Sequence, residues 1–255
     1  MTDYIEGKRP VIEALRTHVP IKQVLVADNL KRDSLVEDIL RKAKKADVPV
    51  KTVRHRDLDE KSERGSHQGV MAEAKPFEYC NVQTILDAAE AHAAEHDGAA
   101  LVILLDHITD AGNLGAIARS AEVVGASGIV IPNKRSAHVT AATYKSSAGA
   151  ISHLNVSQVA NLGQVVERLK KEGFWVAGAS EHAKEVVWDS NLKGKIALVM
   201  GNEGEGLARL TQEICDFLTK LPQEGNVGSL NVAQAATACM YEWMRQNRSQ
   251  SPAAR

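Results

Sequence analysis

The sequence contains no apolar stretch long enough to cross a membrane. Its longest uninterrupted apolar run covers the seven residues 99–105, whereas a bilayer-spanning helix needs about 20. The first ten residues carry neither an apolar signal segment nor an amphipathic targeting pattern rich in Arg and Ser. We therefore expect a protein of the cytoplasm that does not enter a membrane.

Cysteine is also scarce. Cys80, Cys215 and Cys239 are odd in number and far apart, and no two of them form a Cys-x-x-Cys pair. This spacing predicts reduced thiols and excludes a disulfide framework. The nine histidines are scattered along the sequence without a cluster at ligand spacing, so we expect no metal site.

Neither sign of charge is in excess, because 31 basic side chains are matched by 32 acidic ones. One window differs from the rest: residues 41–56 hold seven basic residues and a single acid. The seven are Arg41, Lys42, Lys44, Lys45, Lys51, Arg54 and Arg56. A basic surface of this kind can bind a phosphate backbone. The alternative is a solvated helix face, which needs no ligand.

Helix and strand patterns alternate along the chain, which predicts an α/β protein with one large or two unequal domains over 255 residues. We assign residues 1–76 to a small α/β domain, 77–98 to a linker and the first helix of the second domain, 99–248 to a larger parallel-sheet domain, and 249–255 to a disordered tail. Strands are predicted at residues 21–27, 48–53, 69–75, 100–105, 128–131, 174–179, 196–200 and 217–221. Helices are predicted at residues 10–16, 33–46, 57–64, 82–96, 113–124, 139–147, 161–172 and 230–245.

The apolar strand at 100–105 is followed by a loop and a helix that carry Asn113 and Arg119. Asn113 lies where the helix is predicted to begin, so it is either an N-cap or part of a site. Side chains in a helix lean toward its N-terminus, so the Arg119 guanidinium can extend back toward the loop. The alternative for Arg119 is an ion pair with Glu122, three residues along the helix.

Three glycines follow another apolar strand, in the segment Gly201-Asn-Glu203-Gly-Glu-Gly206. Glycines allow backbone amides to approach a ligand closely. Their order differs from the G-x-G-x-x-G of dinucleotide sites, and the segment has no Walker lysine. Its two glutamates would repel a pyrophosphate. The segment therefore favours a neutral or cationic ligand and counts against an NAD-dependent enzyme.

A third polar loop, at residues 221–231, precedes the last predicted helix. Ser229 or Asn231 either caps that helix or belongs to a site. The helix itself is apolar on nearly every side over residues 232–244, which is typical of a helix buried in a core or an interface.

These three segments together resemble the motifs of the SpoU/TrmH (SPOUT) family of RNA ribose 2′-O-methyltransferases, which use S-adenosylmethionine. The segment Tyr4–Leu15 and the residues His67–Val70 resemble the L30e-like RNA-binding extension of that family. Among its members, the sequence is most similar to the bacterial enzymes that methylate a guanosine of 23S rRNA. One position departs from the pattern: Ala111 follows Asp110 where the family usually has proline, which removes no functional group.

The resemblance implies a fold and a set of site residues. The implied fold is a SPOUT-type parallel-sheet α/β domain with a C-terminal trefoil knot, preceded by a small L30e-like RNA-binding domain. Arg119 would act on the ribose 2′-oxygen, either as general base or by electrostatic stabilisation. The residues that would orient it and the ribose are Asn113, Glu203, Ser229 and Asn231. The residues that would bind S-adenosylmethionine are Met200, Gly201, Gly206, Leu221 and Leu230. The candidate RNA contacts are Arg41, Lys44, Lys45 and Arg54.

The resemblance also implies partners. We expect ribosomal RNA, 23S or its precursor, as substrate, and a homodimer formed through the catalytic domains that completes each active site. The final helix favours the dimer independently, because Met240, Trp243 and Met244 leave it no clear solvent face. Two alternatives stay open: a tRNA-directed or thiostrepton-resistance-type methyltransferase of the same family, and a non-catalytic RNA-binding protein with the same fold.

Overall fold

The computed structural model describes residues 4–62, 65–202, 204–226 and 228–248. The strands in these residues are β1 Tyr4–Glu6, β2 Ile21–Ala27, β3 Val50–Val53, β4 Val70–Ala74, β5 Ala100–Asp106, β6 Gly128–Pro132, β7 Val156–Val159, β8 Trp175–Ala179, β9 Glu185–Val186, β10 Lys195–Gly201 and β11 Phe217–Lys220. The helices are α1 Lys8–Arg16, α2 Ser34–Lys45, α3 His55–Asp59, α4 Val82–Glu95, α5 Ala111–Val123, α6 Ala141–Ser146, α7 Leu162–Lys171, α8 Arg209–Ile214 and α9 Val232–Asn247.

The first four strands form a sheet of their own in the order β1-β4-β2-β3. Strand β4 runs antiparallel to both β1 and β2, whereas β3 is an edge strand parallel to β2. Helices α1 and α2 pack on each other, and their inward side chains Val11 and Ile39 are fully buried. This is the small α/β unit that the first 75 residues predict.

The other seven strands form a parallel sheet in the order β7-β6-β5-β10-β8-β11-β9. All seven residues of β5 are buried, as a continuous apolar run predicts for a strand covered on both faces. Strand β10 lies beside β5 with Gly201 opposite Asp106. The loops that follow these two strands therefore lie side by side at the carboxyl edge of the sheet, where ligands bind in such folds.

The two sheets are connected by packed apolar side chains. Helix α1 contacts α6, and a Cβ on Gly149 would lie 3.0 Å from the carbonyl oxygen of Thr17. In the connecting segment, the Tyr79 hydroxyl accepts a hydrogen bond from the Val139 amide at 2.9 Å. The Tyr79 ring also lies 5.0 Å from that of Phe77. The small unit is therefore packed against the helix that neighbours α5.

The structure corrects two predictions about helix ends and faces. Asn113 is not the N-cap of α5: Asp110 is, and its carboxylate accepts the Asn113 amide at 2.7 Å. Helix α9 does have a solvent face, because Gln234, Tyr241 and Arg245 are exposed along it.

The large side chains of α9 pack inside the chain. Met240 and Trp243 are buried, and the Trp243 indole donates to the Gly194 carbonyl at 3.3 Å. These side chains therefore cannot supply the subunit contact that their apolarity predicts. The dimer stays a prediction that needs other support.

Several predictions concern residues that the structure does not describe, or features that stay predictions. The tail at residues 249–255 lies outside the described residues, as does Glu203. The domain boundaries and the threading of the C-terminal segment into a knot stay predictions. In the described part of the chain, no helix has the length and apolarity needed to span a membrane.

Candidate active site

The first motif and the last helix meet directly. Asn113 lies in the first turn of α5, and its side-chain oxygen accepts a hydrogen bond from the Asn231 amide nitrogen at 3.0 Å. Asn231 also caps α9 by accepting the Ala233 amide at 2.9 Å. Farther along, the Ser120 and Thr237 hydroxyls are 2.7 Å apart. The two helices therefore run in the same direction, with their N-termini together at the edge of the sheet.

The glycine-rich segment is a tight loop that starts at the end of β10. The backbones of Asn202 and Gly206 exchange hydrogen bonds of 3.0 and 2.9 Å, which brings residues 206–207 close to Gly201. A Cβ on Gly201 would lie 2.2 Å from the Gly206 carbonyl carbon, so only glycine fits there. Gly206 adopts φ of +69° with open space around its Cα, which leaves its backbone accessible to a ligand.

The last residue of β5 and the residue after it hold this loop. The Asp106 carboxylate accepts the Ala208 amide at 2.9 Å, and the Asn202 side chain donates to the His107 carbonyl at 2.9 Å. No sequence pattern indicated roles for Asp106, His107 or Asn202. The only available signal was their position at the ends of two apolar strands.

Arg119 is exposed and makes no hydrogen bond or ion pair with any described residue. The predicted alternative, an ion pair with Glu122, is therefore not formed. Six residues of helix place Arg119 about 9 Å beyond Asn113 and about 120° around the helix axis from it. Its guanidinium is free for a substrate, and it does not lie on the face that Asn113 presents to α9.

The predicted cofactor-binding residues differ in exposure, from the core of the sheet to the protein surface. Met200 is buried in the sheet, Leu221 is half-buried at the end of β11, and Leu230 is 50% exposed before α9. Gly225 and Gly228, in the same loop, have open space around them. Exposed backbone polar groups next to an exposed leucine suit a ligand with an adenine ring and polar substituents. Ser229 is exposed in this loop.

Only part of the basic window is free of ion pairs. Arg41 pairs with Asp38, and Arg54 pairs with Asp57 at 2.8 Å. By contrast, Lys44, Lys45 and Lys51 are exposed without an ion pair to any described residue. Lys44 lines an open cleft. The other residues of the cleft are Leu40, Asp47, Val48, Pro49 and Val50.

The fold brings together two histidines that look scattered in the sequence. His55 and His67 lie on either side of Asp59, with ring nitrogens 3.2 and 3.0 Å from its carboxylate. The His67 Nδ1 accepts the Gly69 amide at 3.0 Å, so its ring proton sits on Nε2 and points at Asp59. That leaves His67 no lone pair for a metal. The histidine hydrogen bonds, His67 first, hold the pKa of Asp59 below its ordinary value.

Comparison with known proteins identifies the family. The SpoU rRNA Methylase family profile matches residues 100–241. A profile described as RNA 2′-O ribose methyltransferase substrate binding matches residues 4–80. The chain belongs to the SpoU/TrmH family of RNA methyltransferases. The family uses S-adenosylmethionine.

Relatives cover almost the whole of this SpoU family member. A protein of Bacillus subtilis assigned to the TrmH family of tRNA/rRNA methyltransferases, YacO, is 38% identical over 243 residues, which is 95% of each chain. A Staphylococcus aureus protein of the same description is 37% identical over 241 residues, covering 94% of this chain and 95% of its own.

Solved structures show the same fold. The SpoU methyltransferase AviRb from Streptomyces viridochromogenes, in complex with AdoMet, superposes with a TM-score of 0.67 at 25% identity, covering 96% of this chain and 90% of its own. An AdoMet-bound rRNA methyltransferase from Sinorhizobium meliloti superposes with a TM-score of 0.67 at 24% identity, covering 97% and 88%. An S-adenosylmethionine site is therefore compatible with the open glycine backbone of this chain.

Proposed function

We propose that this protein transfers a methyl group from S-adenosylmethionine to a ribose 2′-hydroxyl of RNA, and that its substrate is a guanosine of 23S rRNA in the cytoplasm. The hydrogen bond between Asn113 and Asn231 carries the proposal. It joins two motifs that are 118 residues apart at the sheet edge that also bears the glycine-rich loop. The substrate-binding profile over residues 4–80 supports ribose as the methylated group.

The chemistry assigns a role to each site residue. A ribose hydroxyl is a weak nucleophile, so the site must stabilise negative charge on the 2′-oxygen as its proton leaves. S-adenosylmethionine supplies the methyl group from its sulfonium. In one role the Arg119 guanidinium stabilises the oxygen with its positive charge while the proton passes to a phosphate of the RNA. In the other role Arg119 is first deprotonated, and its neutral guanidine accepts the proton. The first role is chemically easier, because arginine rarely gives up its proton.

The remaining site residues orient the reactants. Asn113 and Asn231 fix each other, and with Ser229 and Glu203 they hold the ribose and the guanidinium. The cofactor lies largely against backbone atoms, both those of Gly201 and Gly206 and those of its other predicted binding residues. These are Met200, Leu221 and Leu230.

The position of Arg119 supports a homodimer. Arg119 and Val123 are exposed one turn apart on α5, and Val123 is 58% exposed. This apolar and cationic strip lies about 100° around the helix axis from Asn113. A second copy packed on it would bring each Arg119 to the site of the partner subunit.

The RNA contact of the small unit lies on the free lysines of the basic window. Lys44, Lys45 and Lys51 are available because, unlike Arg41 and Arg54, they are not neutralised by acidic neighbours. Their charges would release counterions from the RNA backbone on binding.

Mapping of ribose methylation tests the proposal. We expect one 2′-O-methylguanosine of 23S rRNA to disappear from cells that lack this gene and to return on complementation. The purified protein should transfer tritium from S-adenosyl-[methyl-³H]methionine to 23S rRNA that lacks the mark. Loss of a tRNA mark instead would overturn the substrate assignment, and an unchanged methylation map with no transfer in vitro would overturn the activity.

A further inference from the structure

A buried carboxylate lies directly beneath the glycine-rich loop. Asp106, the last residue of β5, is only 2% exposed. One of its oxygens accepts the Ala208 amide at 2.9 Å, and the other is 2.6 Å from Nδ1 of His107. Both oxygens are therefore engaged, and the carboxylate is not available to react with a substrate.

The next residue makes a second connection to the same loop. His107 adopts a φ of +60°, which is uncommon for a residue other than glycine. In this conformation its carbonyl accepts the Asn202 side-chain amide at 2.9 Å. The oxygen of the same Asn202 side chain accepts the Gly204 amide at 2.8 Å. The dipeptide Asp106-His107 thus holds both ends of the loop, at Asn202 and at Ala208.

The same dipeptide is close in sequence to the motif on α5. Asp110 caps that helix four residues later and accepts the Asn113 amide. Strands β5 and β10 are paired with Asp106 opposite Gly201. The position of the glycine-rich loop relative to Asn113 therefore depends on this pairing and on the hydrogen bonds that Asp106 and His107 make to the loop. Loss of the Asp106 carboxylate would release the loop from one end.

We propose that Asp106 is a positioning residue that holds the backbone of residues 201–202 and 204–208 in the shape that accepts S-adenosylmethionine. The inference rests on the proposed place of the cofactor at this loop. Asp106 itself touches neither reactant. It acts through the Ala208 amide and, with His107, through Asn202.

Asp216 provides a control that makes similar hydrogen bonds in a more exposed position. Its carboxylate accepts the Val176 amide at 2.8 Å and pairs with Lys170 at 2.6 Å, so it too joins two segments of the same sheet. It precedes β11 and lies at the amino edge, opposite the proposed cofactor site. A purely structural role for Asp106 would make the two aspartates equivalent in every assay of cofactor binding.

The experiment compares Asp106→Ala and Asp216→Ala in the full-length protein. Titration calorimetry should show S-adenosylmethionine binding weakened about ten-fold or more in Asp106→Ala, since hydrogen bonds to charged groups are strong, and unchanged in Asp216→Ala. Asp106→Asn keeps an acceptor for the Ala208 amide and should recover most of the affinity. The KM for RNA should change in none of the variants.

Amide hydrogen exchange of the cofactor-free protein gives an independent readout. Residues 201–208 should exchange faster in Asp106→Ala than in the wild type, with no change in Asp216→Ala. Wild-type exchange and wild-type affinity in Asp106→Ala would overturn the inference. If Asp106→Ala does not fold, the same measurements are made on Asn202→Ala, which removes the hydrogen bond to the His107 carbonyl. A wild-type protein that binds no S-adenosylmethionine would contradict the proposed function instead, and the exchange data would still show whether Asp106 anchors the loop.

Discussion

At the start of α5, the capping role that the sequence position of Asn113 indicates is taken by Asp110. Asp110 satisfies the free amide in the first helical turn, so the Asn113 side chain is not needed as a cap. It meets Asn231 instead. Asn231 makes two contacts at once, because its side-chain oxygen caps α9 and its side-chain nitrogen donates to Asn113. A short amide side chain with a donor and an acceptor is suited to this double use.

Replacement of Arg119 tests the proposed chemistry. Arg119→Ala should abolish methyl transfer and leave the affinity for S-adenosylmethionine within a few-fold of wild type, because the guanidinium contacts no described residue. Its melting temperature should be unchanged for the same reason. Arg119→Lys keeps a positive charge but not the planar fork, and should retain a small part of the rate. Single-turnover methylation assays measure this, and near-normal turnover by Arg119→Ala would refute the mechanism.

Glu242 should make stability depend on pH. It is buried in α9, and Arg245 donates to its two oxygens at 2.7 and 2.8 Å. The Arg245 hydrogen bonds hold the pKa of Glu242 below its ordinary value, against the effect of burial. The ionised form therefore stabilises the fold above the ordinary glutamate pKa of about 4.3, and this contribution is lost as the pH falls through the lowered value.

Glu242→Gln should accordingly reduce the free energy of unfolding at pH 7, with a difference from wild type that shrinks below about pH 4. Urea titrations at several pH values measure it. Glu213→Gln is the control, because its ion pair with Arg209 is exposed and such pairs contribute little. A difference for Glu242→Gln that is independent of pH would contradict the assignment.

Residues of the candidate site could be predicted from the sequence where they lie at the end of a strand or the start of a helix. Asn113, Gly201 and Asn231 stand out because each follows an apolar strand or begins a helix, and parallel strands bring such positions to one edge. Asp106 and His107 were not predictable, because their roles depend on hydrogen bonds to residues about a hundred positions away. The orientation of Arg119 could not be predicted either, because sequence spacing alone does not show which neighbouring element packs on a given face of a helix.

Among the helices, α5 and α6 are packed closely enough to require glycine between them. A Cβ on Gly115 would lie 1.9 Å from the Ser146 hydroxyl and 2.5 Å from the Thr143 carbonyl. Gly115→Ala should therefore force the helices apart and cost about 1–3 kcal/mol of stability. It should also slow methyl transfer, because α5 carries Asn113 and Arg119. Thermal melts and activity assays measure both effects.

Gly163→Ala is the matched control for this prediction. Gly163 is also helical, but an added Cβ would lie 3.1 Å from the end of the Asn161 side chain and at an ordinary contact distance of 3.7 Å from Ile214 Cδ1. Alanine there should be neutral or slightly stabilising, because it favours helix. Equal melting temperatures for the two variants would show that α5 and α6 can separate without cost.

Elements with a strong local pattern were predicted almost residue by residue. Strand β2 has the predicted bounds, and α2 is one residue shorter at each end than the predicted helix 33–46. Four elements were missed: β1, β7, the two-residue β9 and the six-residue α8. Strand β7 carries polar residues in its second and third positions, and its extended form depends on pairing with β6. Local patterns cannot show a strand that exists because of its neighbour.

For the whole molecule, RNA affinity should depend on the free lysines of the small unit. Replacing Lys44, Lys45 and Lys51 together with glutamine should weaken RNA binding. It should also flatten the salt dependence of binding, by about one unit of log–log slope for each RNA phosphate that the variant no longer neutralises. S-adenosylmethionine binding should be unaffected. Filter binding at several salt concentrations measures this.

The control triple variant replaces three exposed lysines of the parallel-sheet unit with glutamine. These are Lys171, Lys184 and Lys193. They match the first set in charge and exposure, so an equal loss of RNA affinity in both triple variants would show that net charge alone governs binding.

The protein should act as a dimer, with Arg119 and Val123 at the subunit contact. Sedimentation at low micromolar concentration should give about twice the 27.6 kDa of one chain. Val123→Glu should shift the protein toward the monomer and reduce activity in parallel, because a charge would be buried without a partner. Trp175→Glu, at a 62% exposed position on β8, is the control. Full activity of a monomeric species would exclude the dimer as the working unit.

The place of β10 in the sheet has a consequence for how the chain folds. It lies between β5 and β8, and in the described residues it alone joins the half-sheet β7-β6-β5 to the half-sheet β8-β11-β9. Its pairing with β5 spans 95 residues, and contacts of such long sequence separation form slowly. The glycine-rich loop begins at the last residue of this strand. On refolding from denaturant, the ability to bind S-adenosylmethionine should therefore be regained only in the slowest phase, together with closure of the sheet, and never in an earlier one.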